Sequence, residues 1–386
     1  MILTRGARVT GAVLCGLLAV IVASWLVRDV RAAEFDQLWR YWAGFHDARP
    51  HTLPATTATD AALLVVYAVA AVAALRSSVA AAVLVATGAV TLAVRLPGLW
   101  NIGSRAMEPS FSDELRTRAL ICAFAGLAAG IALLITAGAG RRPPADSYER
   151  LPTRPGPGAS VTAFLLLCAA GAVLIAWEVR QVVKYPDAFP DWYVGGDRIV
   201  HGVIGPPPGW GTALTALLCL FAGASALFHA VHSRPFGLVA AALLLPGGAL
   251  GVVRIVRYDL LDHFGSLPTE TQLMLLSRLF EAFVAVVVLI ALVPRGFADV
   301  PGPYGPGYGS GYGGPGFGQP GYGQPEYGQP EYGTPGYGTP GYGPEAHPGQ
   351  DAGPYPGQQP PAPGYGYPQG GGFGPPPPPS RPPPGW

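Results

Sequence analysis

The sequence predicts an all-α integral membrane protein: eight transmembrane helices arranged as two parallel four-helix repeats, followed by a disordered tail. Three observations predict it. Half of the 386 residues are hydrophobic and only 12% are charged, where soluble domains carry about 25%. Apolar runs recur at 9–27, 61–75, 79–94, 119–138, 159–177, 211–231, 237–253 and 279–293; some have the length of a bilayer span, and several are shorter and need flanking residues to complete one. Residues 298–386 change abruptly to Gly, Pro, Tyr and Gln.

The first run follows Arg5 and Arg8 but lacks a signal-peptide cleavage motif at its end, so it is expected to remain as a span. The stretch 61–97 would be about 55 Å long as one helix, too long for one span. Arg76-Ser77-Ser78 breaks it into a hairpin, and His232-Ser233-Arg234-Pro235-Phe236 makes the same break between the sixth and seventh runs. Pro109-Ser110 and Pro268-Thr269 precede the fourth and eighth runs. Ser110 and Thr269 are expected N-caps, with Asp113 and Gln272 three residues on, which starts those helices near 111 and 270.

The same order of elements occurs twice: span, long loop, span, tight turn, span, medium loop, span. Trp25, Val27, Arg28 and Val30 recur as Trp177, Val179, Arg180 and Val182; Gly88 and Arg95 recur as Gly247 and Arg254. The expected organisation is therefore a first repeat over 1–140, a Pro/Arg linker over 141–158, a second repeat over 159–297 and the tail over 298–386. An even number of spans per repeat makes the copies parallel rather than inverted. The tight turns, the linker and the chain ends are dense in Arg and poor in acid, which places both termini in the cytoplasm of a multi-pass cell-membrane protein.

A single lysine, Lys184, stands against 23 arginines. This composition, with the Gly/Pro/Tyr-rich tail, resembles that of actinobacterial multi-pass membrane proteins, and the resemblance implies no particular activity. A net charge of +1 argues against a nucleic-acid partner. The expected partners are the lipid bilayer and proteins that dock on the tail.

The candidate chemistry is sparse. Cys15, Cys122, Cys168 and Cys219 lie in apolar runs without metal or disulfide spacing, and the histidines form no ligand motif. No cofactor and no metal are expected, and no catalytic constellation is present; the chain reads as non-enzymatic. In the first long loop Phe35, Leu38, Trp39, Trp42 and Phe45 share one face of a helix, expected to lie on the membrane surface; an aromatic ligand platform is the alternative. The second repeat places Phe189, Trp192 and Tyr193 there, but Gly195-Gly196 interrupts any helix. Arg28, Arg180, Arg95 and Arg254 end spans on one side of the membrane. They either snorkel to head groups or converge on an anion between the repeats. Glu281 is the one acid well inside an apolar run, and Arg278, three residues earlier, is its candidate ion-pair partner. Pro246-Gly247-Gly248 suggests a kink or exposed carbonyls, while Gly126-x-x-x-Gly130 and Gly247-x-x-x-Gly251 allow close helix packing.

In the tail, aromatics recur every five residues from Tyr312 through Phe317 to Tyr342, and Pro376-x-x-Pro379-x-Arg381 matches a proline-recognition pattern. A chain almost free of aliphatic residues buries no core. It is either a solubilising spacer or a multivalent docking arm. The resulting expectation is a scaffold or accessory component at the cell envelope; the alternative is a small-molecule or lipid-linked transporter with its site between the repeats.

Overall fold

The structure is a computed structural model and describes residues 2–143, 152–196, 202–294 and 297–298. The tail expected to be disordered, Arg150 in the linker and His201 lie outside the described residues, the tail except for its first residue.

The first half runs β1 (Ile2–Leu3), α1 (Arg5–Ala33), α2 (Phe35–Trp42), α3 (Ala58–Arg76), α4 (Ala80–Arg95), α5 (Gly98–Asn101), α6 (Asp113–Ala139) and β2 (Arg141–Arg142). The second runs β3 (Thr153–Arg154), α7 (Pro157–Lys184), α8 (Phe189–Val194), α9 (Pro208–Leu227), α10 (Ser233–Arg257), α11 (Thr269–Leu292) and β4 (Phe297–Ala298). Among the described residues, eight helices are long and apolar enough to cross a membrane: α1, α3, α4, α6, α7, α9, α10 and α11. Several exceed their apolar runs because polar turns extend them. α1 has 29 residues, about 44 Å at 1.5 Å per residue. It begins at Thr4, whose hydroxyl accepts from the Ala7 N–H, and carries Arg28 and Asp29 in its last two turns.

The helix starts differ from the expected ones. Hydrogen bonds from Ser110 N and Phe111 N to Met107 O form a turn that buries Met107 and Phe111. α6 therefore begins two residues late, with Ser112 rather than Ser110 accepting from the backbone, at Leu115 N. Thr269 is already helical, and Gln272 donates its side-chain amide to the Phe264 and Leu267 carbonyls instead of closing a cap. The turn between α9 and α10 falls at 228–232, earlier than expected. Pro235 sits in the first turn of α10, where no intrahelical N–H is required. α10 continues through Pro246 to Arg257.

The two halves are built on one plan. α1, α3, α4 and α6 form a ring in which each helix packs on the next and α6 returns to α1; α7, α9, α10 and α11 do the same. Each ring is closed by a two-residue antiparallel bridge between the segment before its first helix and the segment after its last. Leu3 pairs with Arg141 in the first half and Arg154 with Phe297 in the second. Glycine permits the closest helix approaches. A Cβ on Gly88 would lie 2.9 Å from the Gly130 carbonyl oxygen, and one on Gly248 would lie 2.4 Å from Ala282 N. Across the halves, α10 packs on α3 and α4, and one apolar core runs through both.

Candidate functional site

The bundle has two unlike ends. The turn end carries the helix hairpins and the β bridges; the long-loop end carries the four arginines singled out above.

At the long-loop end the arginines have separate partners. Arg28 Nη1 lies 2.6 Å from Asp29 Oδ1. Asp29 is fully buried, and its other oxygen accepts from Thr56 N at 2.7 Å and Thr56 Oγ1 at 2.6 Å. Asp60, in the first turn of α3, accepts from Thr57 N at 2.9 Å and faces Arg95 Nη2 at 3.5 Å. Arg95 is 7% exposed and donates through Nη1 to the carbonyl of Ile204, 2.5 Å away in the other half. Arg180 pairs with Glu270, which also accepts from Lys184, and lies over the Trp177 ring. Arg254 is exposed beside Gly44. The four are thus spread over the two halves; Arg95 hydrogen-bonds across to the other half, and Arg254 lies against Gly44 of the first.

The Arg95 contact belongs to a clasp between the halves. Residues 202–205 of the second half lie against the first, where Val203 and Ile204 are buried with Trp25, Ala55, Met107 and Phe111. Ile204 N donates to Ala55 O at 3.2 Å. Trp210 donates to Ala93 O at 2.8 Å, Trp100 donates to Val194 O at 3.0 Å, and the two indoles meet edge to face at 5.7 Å. Phe45 packs edge-on against Tyr258, whose hydroxyl is 2.8 Å from His46 Nδ1. The aromatic face of α2 consequently turns toward the protein: Leu38 and Phe45 are buried, Trp42 donates to Thr56 O, and only Phe35 is widely exposed. In the second half α8 stops at Gly195, with φ of +85°. Trp192 and Tyr193 there both donate to Glu178 Oε2, at 3.1 and 2.7 Å. Burial, then the Glu178 carboxylate, push the Tyr193 phenol above its ordinary range.

On α11, the half-exposed Arg278 places its Nη1 2.7 Å from Oε2 of the buried Glu281. The missing side chain of Gly247 makes room for this pair: a Cβ there would lie 3.3 Å from Arg278 Nη1. Tyr67, Thr87 and Thr91 form a second buried polar group. The Thr91 hydroxyl donates to Thr87 O at 2.7 Å and sits 3.1 Å from the Tyr67 hydroxyl. Among the described residues no group of three or more His, Cys, Asp and Glu side chains is placed to hold a metal.

Toward the turn end the halves part. α3 and α4 of one and α10 and α11 of the other enclose an open cavity of about 430 Å³. Its walls include Val69, Val83, Leu238 and Leu289, and its polar lining is Ser77, Thr87 and Arg234. A second cavity, of about 260 Å³, lies at the turn end against Ser78, Val79, Arg141, Pro152, Val231 and His232.

Asp29 and Asp60 were not singled out as site residues by sequence reasoning, because they lie where apolar runs end. Thr57-x-x-Asp60 before an apolar run does carry the signature of a capping box, which marks Asp60 as a helix-start acid. That Arg95 also meets it is a tertiary fact.

Eight apolar helices in two joined rings define an all-helical protein consistent with a multi-pass membrane protein whose helices contact the bilayer. No protein-family model, curated protein or solved structure matches the chain.

Proposed function

We propose that this is a non-enzymatic multi-pass protein of the cell membrane, built of two parallel four-helix repeats. It acts as a scaffold or accessory component of envelope machinery, with both termini cytoplasmic and the tail as docking arm. The observation that supports this reading best is the use of the buried polar groups at the long-loop end. Arg95 and Trp210 fasten one half to the other through backbone carbonyls. A body so braced suits a platform. The test is removal of residues 298–386, with the isolated tail used as bait on solubilised membranes. The scaffold is expected to lose its partners or its localisation on truncation; a bait that captures nothing specific overturns the reading. Reporter fusions after Arg49 and after Arg142 test the orientation. An internal signal at the first and an external one at the second reverse it.

The cavity between the halves favours a second reading, a small-molecule or lipid-linked transporter. Filling that cavity with Val69→Trp and Leu238→Trp would then abolish transport while leaving tail capture intact, and the tail deletion would do the opposite.

A further inference from the structure

We propose that the cleft between the two halves holds one phospholipid whose head group carries net negative charge. Its hydrocarbon chain lies in the groove between α3, α4, α10 and α11, and its phosphate lies at the mouth formed by Ser78, Arg141 and His232.

The groove has the length and character of a chain site. It runs along α3 from Val65 to Ser77, about 18 Å at 1.5 Å per residue. That is a little more than half of the roughly 30 Å hydrocarbon core of a bilayer, the depth of one leaflet. Its walls are aliphatic over nearly the whole length. Such a surface gives water too few partners to remain, and between apolar helices in a membrane a hydrocarbon chain fills it. The groove ends at the turn end, where Val79 lines both it and the second cavity. Apolar and polar compartments therefore adjoin, as an amphiphile requires.

Charge selects the head group. At the long-loop end Arg28, Arg95 and Arg180 face Asp29, Asp60 and Glu270. At the turn end, among the described residues, no acidic side chain pairs with Arg8, Arg76 or Arg141. Arg8 and Arg141 donate to backbone carbonyls, Leu75 O and Ser77 O for the first and Ala137 O for the second. Arg234 caps α11 through Leu292 O and Val293 O. A guanidinium bonded to a carbonyl keeps its full charge, so Arg8 and Arg141 bring positive charge to the mouth. The N-terminus of α4 opens at the same place and adds to the positive potential. His232 is held there by stacking on Phe221 and by Ser225 Oγ, 3.2 Å from its Nε2. A net-negative phosphate head group joined to a hydrocarbon chain satisfies both compartments; a free anion leaves the groove unfilled, and a lipid without net charge, a zwitterionic phospholipid included, leaves the charge unmatched.

The site is separate from the scaffold reading and deepens the transporter reading without requiring transport. The full-length protein in detergent is titrated with phosphatidylglycerol, with phosphatidylcholine of the same chains, and with glycerol phosphate, and bound lipid is counted by native mass spectrometry. One phosphatidylglycerol per chain is expected, with phosphatidylcholine binding at least about ten-fold more weakly. Arg141→Gln with His232→Gln should weaken phosphatidylglycerol about five- to ten-fold and leave phosphatidylcholine unchanged. Val69→Trp with Leu238→Trp should fill the groove and abolish binding. The head-group variant lies outside the packed core and keeps the test decisive if the groove variant fails to fold. Equal binding of the two lipids, an unaffected head-group variant, or glycerol phosphate binding as tightly as the whole lipid overturns the proposal. Tail capture is unaffected by either variant, so failure here and failure of the scaffold reading are distinguishable.

Discussion

Arg95 is the residue on which the long-loop end depends. Its guanidinium is removed from solvent and answers two groups, the Asp60 carboxylate in its own half and the Ile204 carbonyl in the other. Replacing it with Leu leaves Asp60 buried without a cation, which typically costs about 3–5 kcal/mol. Arg95→Leu is expected to lower the unfolding midpoint in detergent accordingly, and Asp60→Asn added to it should recover part of the loss. A double variant no more stable than the single one would show that Asp60 does not carry the penalty. Gly248→Ala acts by contact rather than charge: its Cβ meets the Ala282 backbone, which has no rotamer through which to yield. A loss of about 1–3 kcal/mol is expected in the same assay. Tyr193 introduces a pH dependence. Its phenol is raised by burial and by Glu178, so the unfolded chain loses this proton first as pH rises. Its contribution is complete below pH about 10, the ordinary tyrosine value, and is lost as pH rises through the folded value. Tyr193→Phe should flatten that alkaline decline in a stability–pH profile.

Among the elements, the 202–207 segment decides most. It has no regular structure, yet Val203 and Ile204 are as buried as helix core. Its backbone is fixed at both polar groups of Ile204, by Ala55 O and by Arg95. Trp210, at the start of α9, extends the same clasp. Trp210→Phe keeps an aromatic ring, though a smaller one, and removes the donor, a loss worth about 1 kcal/mol for the hydrogen bond. Amide exchange at 202–205 is expected to quicken in this variant while exchange in α10 stays slow; uniform quickening would mean that the clasp is not a local unit. The cap at Ser112 and the α9–α10 turn at 228–232 differ from the expected places for a reason at this scale. Hydrophobic burial of Met107 and Phe111 moves one boundary, and the tolerance of a first helical turn for Pro235 moves the other.

At the scale of the whole molecule, two closed rings meet at a fastened end and an open end. Each ring carries its own β bridge, made by one end of the linker, so chain continuity between Arg142 and Thr153 is not needed to close either. Cutting the chain within residues 144–151 and expressing the two parts together should yield halves that co-purify from membranes. Arg95→Leu with Trp210→Ala should separate them while each remains membrane-bound. Halves that co-purify equally well with both changes would place the main attachment in the α10 contacts with α3 and α4. The open end is where the lipid proposal applies, and there the difference from the long-loop end lies in charge: Arg28, Arg95 and Arg180 face carboxylates at one, Arg8 and Arg141 face backbone carbonyls at the other.

Local patterns in the sequence were enough to determine the number of crossing helices, the two hairpin turns to within a few residues, the early end of α8 at Gly195 and the proximity of Arg278 to Glu281 three residues on. Each of these depends on a run of neighbours or on one helical turn. The tertiary structure alone decided which arginine is buried, that the aromatic face of α2 turns inward, that a loop of one half is seated in the other, and where the halves part. In a membrane the protein interior is no more apolar than the lipid around it. Val66, buried against the core, and Val69, 59% exposed one turn later, are chemically alike, so hydropathy cannot assign either its neighbour. The partners of Arg95 lie 35 and 109 positions away, and only the folded chain brings them to one guanidinium.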